Sequence, residues 1–204
     1  MPKPHKLDWL QPAVLTGSLL PLALMLYQGL SGSLGANPIA TALNRLGMLT
    51  LLFLLASLSC TPIKIVFGAK WPLRLRKTLG LLAFWCALAH FLVYAVFDQV
   101  LMLEAIVEDI AERPFILLGA LGLLCLTPLA ITSTKNAVRR MGPKRWQQLH
   151  RLAYVAGILG VAHFLVRVKQ DLTEPLVYAA ILAVLLAVRV VDAVRRARAK
   201  RLTA

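Results

Sequence analysis

Three histidines lie inside or beside apolar sequence, and these are the residues whose type and spacing can do chemistry. His90 stands in Leu88-Ala89-His90-Phe91-Leu92, His163 in Val161-Ala162-His163-Phe164, and His150 in Gln148-Leu149-His150-Arg151. An imidazole carried into hydrocarbon must have its nitrogens satisfied, so an ionisable residue there marks a functional site by default. Two chemistries suit it: a hydrogen bond to a neighbouring helix or polar cavity, or ligation of a metal. Zinc fits poorly, because no carboxylate or thiolate stands beside His90 or His163 in sequence to complete a tetrahedral set. The fourth histidine, His5, lies in a polar N-terminal tail and requires no function.

The elements that position these residues follow from composition. The chain has 204 residues, is 59% hydrophobic and has a mean hydropathy of +0.72, too apolar for a surface that must face water. Charged residues bracket long uncharged runs. Six membrane-spanning helices are predicted, at about residues 9–28, 46–63, 78–97, 114–134, 146–168 and 175–191. The Gly- and Pro-containing stretch Gly29 to Pro38 separates the first two. One all-α domain covering residues 1–204 is expected. The first apolar run is too long for a signal-peptide core and reads as a retained helix. Cys60, Cys86 and Cys125 are odd in number and widely spaced, which argues against a disulfide framework.

The net charge of +14 does not point to nucleic acid, because the basic residues form short blocks between spans rather than a stripe. On alternate sides of the six spans, nineteen Lys and Arg fall on one side. Only Arg45, Arg113, Arg167 and Lys169 fall on the other, which also takes most of the acids. The positive-inside rule then places both termini in the cytoplasm. Arg151, Arg167 and Arg189 lie close enough to span ends for their side chains to reach the headgroups. Asp98 to Arg113 alternates acids with aliphatic residues and predicts an amphipathic helix on the outer surface. The basic tail from Arg195 to Arg201 predicts a solvated end attracted to anionic lipid. No internal repeat is visible.

Depth sharpens the histidine argument. Both histidine-bearing spans run outward; His90 lies seven residues before Phe97 and His163 five before Val168. The two should therefore stand at similar depth in the outer half of the bilayer, as axial ligation of one haem iron between helices requires. His150 lies 13 residues before His163, about 20 Å along the axis and about 140° around it. A regular helix would not aim both into one groove. The residue 14 before His90 is Arg76, not histidine, so a second bis-histidine pair is not encoded.

Six spans, His90 after Arg76-Lys77-Thr78-Leu79-Gly80-Leu81, and Lys144-Arg145-Trp146-Gln147-Gln148-Leu149-His150-Arg151-Leu152-Ala153-Tyr154 followed by His163 resemble the ferric-reductase-like transmembrane family. The resemblance covers nearly the whole chain, including Leu34-Gly35-Ala36-Asn37-Pro38 and Thr132-Ser133-Thr134. It is strongest for a branch located in the bacterial inner membrane. There it implies b-type haem (haem b), flavin mononucleotide (FMN), and electron delivery to a periplasmic molybdoenzyme of the MsrP type that reduces protein methionine sulfoxide. His90, His150 and His163 match the family's haem-associated histidines. Larger members carry two histidines on each of the equivalent helices and a cytosolic flavin and nicotinamide domain. This chain has neither, which implies an outside donor, either the quinone pool or a cytosolic flavin reductase.

The residues agree with this on several points. No Gly-rich dinucleotide fingerprint follows a strand. The outer loops are too short to house a sulfoxide-reducing site, so that chemistry belongs to a partner. Arg74, Arg76, Lys77, Arg139, Arg140 and Arg145 can pair a flavin phosphate, or can simply set topology. Asp98, Glu104, Glu108, Asp109 and Glu112 can steer a docking partner, or reflect only the scarcity of cations outside. The alternative from another class is a small transporter or proton or ion channel using the intramembrane histidines. Transporters place acids and helix breaks at mid-membrane, and the first five spans have no interior carboxylate.

Overall fold

In hydrocarbon the backbone must satisfy its own hydrogen bonds, and helices do this within one segment. The computed structural model describes residues 9–202. Its helices, in chain order, are α1 (Leu10–Leu30), α2 (Pro38–Phe67), α3 (Arg76–Val93), α4 (Leu103–Glu112), α5 (Pro114–Ile131), α6 (Lys135–Met141), α7 (Pro143–Leu149), α8 (Leu152–Arg167) and α9 (Thr173–Leu202). Among the described residues, six stretches are long and apolar enough to cross a membrane: α1, α2, α3 with its continuation to Asp98, α5, α7 with α8, and α9. The all-α bundle of six spans expected from the sequence is therefore present, and six spans return the chain to the side where it started. His5 and the other residues before Trp9 lie outside the described residues.

Several boundaries differ from the expected ones, each for a local reason. The second span begins at Pro38 rather than near residue 46. Asn37 caps it by accepting the Ala40 N–H at 3.0 Å, and Pro38 opens the first turn. Arg45 lies inside this helix, exposed, and donates to Gln28; a single charge does not end a helix. At the other end Gly68 takes φ +70° and returns its N–H to Lys64 O at 3.0 Å, a conformation glycine adopts without steric cost. The last span runs to Leu202 rather than stopping near residue 191. Its basic tail stays helical, with Asp192 pairing Arg196 one turn on at 2.9 Å.

The span carrying His150 and His163 is broken. Between α7 and the first turn of α8 the chain tightens through Arg151 N–H to Gln148 O (3.1 Å) and Tyr154 N–H to Arg151 O (2.9 Å). Residues in such i→i+3 turns advance about 120° rather than about 100°. The tightened turn thus recovers part of the angle that a regular helix would leave between the two side chains. Gly157 and Gly160 in this span lie against Leu58 and Leu182 and against Leu51, respectively.

Packing centres on α2. Leu51, Phe53, Leu54, Leu55 and Leu58 are buried there against Leu82, Ala83 and Cys86 of α3, Leu126 and Leu129 of α5, Ala156 and Val161 of α8, and Leu182 of α9. The closest helix pairings are α2 with α3 and α5 with α8, while α1 touches the rest only lightly, against α3 and through the Arg45–Gln28 hydrogen bond to α2. Because lipid is as apolar as leucine, helices associate here by close fit at small residues and by polar links. Ser57 Oγ donates to Arg76 O at 2.8 Å. Arg189 turns into the bundle rather than out to the headgroups, donating to Tyr154 Oη at 2.6 Å and Leu58 O at 2.7 Å. Cys60, Cys86 and Cys125 are free thiols.

Beyond α3 the chain makes a π-type turn, Tyr94–Asp98, and then passes through Val100 (φ +49°) and Leu101 (φ +59°). Side-chain-bearing residues rarely take that conformation, Val least of all. The strained corner delivers α4, the amphipathic helix expected between Asp98 and Arg113. Asp109 on α4 accepts from Tyr94 Oη at 3.0 Å and Gln99 Nε2 at 2.8 Å, and pairs with Arg113 at 3.0 Å.

Replacing Asn37 with Ala removes the side-chain cap of α2 and should destabilise the protein by about 1 kcal/mol. Thermal unfolding of the detergent-solubilised chain measures it. An unchanged midpoint would show that the preceding loop holds the N-terminus of α2 without the cap.

Candidate ligand site between His90 and His163

A helix carbonyl points along the axis toward the residue four positions on, whose side chain ordinarily covers it. On α2, Leu43 is followed four residues later by Gly47. On α5, Phe115 is followed four residues later by Gly119. Each glycine leaves the preceding carbonyl open to a ring from the neighbouring helix. His90 of α3 places Nδ1 2.9 Å from Leu43 O, and His163 of α8 places Nδ1 2.5 Å from Phe115 O. A Cβ at Gly47 would lie 3.4 Å from the His90 ring; one at Gly119 would lie 3.0 Å from His163 Nδ1.

The two arrangements are the same device built twice, in α2 with α3 and in α5 with α8. A carbonyl can only accept, so each Nδ1 carries the proton and each Nε2 keeps its lone pair. An imidazole that ligates a metal is typically held in this way by its other nitrogen. The rings meet edge to face with centroids 6.2 Å apart and planes at 89°. Two metal–nitrogen bonds of about 2 Å, plus about 1 Å from each nitrogen to its ring centre, require about 6 Å. Both rings line one cavity of about 480 Å³, walled by Gly47, Phe91, Gly119, Leu123 and Phe164 among others, with Tyr94, Arg113 and Arg167 toward the same end as α4. It is mostly apolar with a few convergent polar groups, as cofactor sites are. The donor set and its spacing fit a metal-centred planar ring.

His150 is not part of this pair. It lines a second cavity, of about 410 Å³, together with Arg76, Lys77, Lys135, Ser57 and Trp146. Its ring stacks on Trp146 with centroids 3.8 Å apart, and its Nε2 lies 3.1 Å from Thr132 Oγ1. That hydroxyl donates to Pro128 O at 2.6 Å, so it accepts from His150; the indole of Trp146 donates to Thr132 O at 2.9 Å. His150 thus has its Nε2 engaged, the reverse of His90 and His163. Arg76, the residue standing where a facing histidine would be, shares its cavity. Leu54 and Leu126 form part of both cavity walls.

The chain matches the family described as ferric reductase like transmembrane component over residues 41–161. It is 49% identical over 189 residues to a protein of Rhodospirillum rubrum, covering 93% of this chain and 91% of that one. A protein of Deinococcus radiodurans is 46% identical over 90% of each chain. One from Azospira oryzae is 45% identical over 95% of this chain and 84% of its own. All three are named protein-methionine-sulfoxide reductase heme-binding subunit MsrQ.

The chain belongs to the MsrQ branch of the ferric-reductase-like family.

No solved structure matches it. Membership in the MsrQ branch and six apolar spans make it a multi-pass bacterial membrane protein. The family match includes the whole of α3 and α5 and the paired glycines, but stops at Val161, before His163. Sequence reasoning found the three histidines and missed their supports. Gly47 and Gly119 carried a readable signal: each lies four residues after the carbonyl it exposes, in spans neighbouring the histidines.

Gly→Ala at an open helical position should stabilise by up to about 1 kcal/mol, and Gly17, with nothing within 4 Å of its would-be Cβ, should behave so. Gly119→Ala should do the opposite, because the ring must leave the Phe115 carbonyl. Comparing thermal midpoints of the two variants tests the cradle; a gain at both would mean that His163 is not held there.

Proposed function

We propose that this chain carries electrons across the inner membrane on b-type haem bound between His90 and His163. The observation that supports it is the doubled cradle: two imidazoles from separate helix pairs, each with Nδ1 tied to a backbone carbonyl, face one cavity at a spacing suited to axial ligation. The relatives' printed name, heme-binding subunit, agrees with it. Haem supplies one-electron chemistry when bound. The chain's part is to hold both ligand rings rigid, to exclude water with leucine and phenylalanine walls, and to leave a polar rim at one end.

The direction of transfer follows from charge. With the basic blocks in the cytoplasm, both termini are cytoplasmic and the His90–His163 cavity lies toward the periplasm. Electrons leave there to a periplasmic molybdoenzyme of the MsrP type that reduces protein methionine sulfoxide, with α4 and its acids on the docking face. They enter at the basic face from the quinone pool or a cytosolic flavin reductase. The His150 cavity serves that donor side. Arg76, Lys77 and Lys135 there suit a group bearing anionic arms, either FMN or a second, weakly held haem, with His150 and Trp146 as the aromatic wall.

An absorption spectrum of the haem-replete protein, oxidised and then dithionite-reduced, is the primary test. Wild type should show b-type Soret and alpha bands. His90→Ala and His163→Ala should each lose most of the haem or turn it high-spin, and wild-type spectra in both variants would refute the pairing. His150→Ala should keep the outer haem and reduce it more slowly from the physiological donor; unchanged kinetics would remove His150 from the path.

A further inference from the structure

Cations are scarce at the end of the bundle that holds the His90–His163 cavity, yet half of them gather at its mouth. That end has Arg45, Arg113, Arg167 and Lys169, and Arg113 and Arg167 line the cavity. Topology accounts for the scarcity and not for the placement. Arg167 follows His163 by four residues on α8, so it stands one turn further along the same face, about 6 Å away along the axis. It lines the same cavity as both imidazoles. Arg113 stands two residues before Phe115, whose carbonyl holds His163.

Both guanidinium groups are held from the side by a polar neighbour. Arg167 donates through one Nη to the amide oxygen of Asn44, the residue after Leu43. Arg113 uses Nε for Asp109 at 3.0 Å, and Asp109 is itself fixed by Tyr94 and Gln99. Asp98 and Glu174 also line the cavity, and among the described residues neither forms an ion pair with these arginines. A planar fork of donors held in place at the rim of an apolar cavity is suited to carboxylates. We infer that Arg167 and Arg113 bind the two carboxylate arms of the haem whose ring stands between His90 and His163. Asn44 and Asp109 are their positioning residues. This assignment rests on the haem reading above, and it adds what fixes the rotation of the ring about the axis joining the two histidines: the acidic edge faces α4.

The test uses the full chain in lipid nanodiscs, loaded either with haem b or with its dimethyl ester, in which both carboxylates are neutral and the ring is otherwise unchanged. The variants are Arg167→Gln, Arg113→Gln, the double variant, and Arg167→Lys as a charge-keeping control. Haem transfer to excess apomyoglobin and the midpoint potential are read for each. With haem b, the double variant should lose haem at least about tenfold faster than wild type, and Arg167→Lys should fall between. With the ester, wild type and variants should release at the same rate, and the difference in potential between them should shrink. An equal effect of the substitutions on both forms would overturn the inference and leave the arginines with a packing role, as would no effect on either. Wild type failing to take up either form overturns the haem reading and this assignment together. His163→Ala should lose both forms alike, which separates ligation from arm binding.

Discussion

Everything about the site depends on a hydrogen bond between an imidazole N–H and a helix carbonyl. In lipid no water can satisfy Nδ1, and every backbone carbonyl already serves its own helix. A carbonyl has two lone pairs, however, and accepts a second donor if the donor can reach it. Gly47 and Gly119 provide that access by leaving uncovered the turn above Leu43 and Phe115. From this follow the direction of each ring, the proton on the inner nitrogen and the free lone pair on the outer one. The close approach of α2 to α3 and of α5 to α8 follows as well, since a bulkier residue would hold the helices apart.

Much of the architecture was legible in the sequence because membrane insertion imposes a coarse rule. Uncharged runs of about 20 residues between charged blocks can only be spans, and all six appeared. Their ends were harder to place. Bracketing by charge put the start of α2 near residue 46, whereas Asn37 and Pro38 start it well before Arg45. The same rule ended α9 near residue 191, although alanine, arginine and an Asp192–Arg196 pair keep the helix going. Insertion sets where a helix may cross; capping and propensity set where it stops.

Among the site residues, depth along each helix brought His90 and His163 together on paper, and they meet in the bundle. The rotation of His150 was less accessible, because counting 13 residues at a fixed angle assumes a regular helix and the chain tightens at Arg151 to Tyr154. The inward turn of Arg189 was not legible either. Its length suggested a headgroup contact, but a phenol and a spare carbonyl lay within reach inside, and burial with two hydrogen bonds competes with solvation at the interface.

The doubling of the cradle has a consequence for how the molecule comes together. Helices enter the bilayer one by one and associate afterwards, and neither α2 with α3 nor α5 with α8 contains more than one of the two facing nitrogens. A ligand gripped from both sides would therefore be a rivet between two half-bundles that otherwise meet through leucine, alanine and glycine, the Arg167–Asn44 hydrogen bond and the Arg189 bridge from Tyr154 to Leu58. By mass action its binding energy is added to the stability of the joined state and withheld from the separated one. Cofactor supply would then favour the joined bundle over its two separate helix pairs.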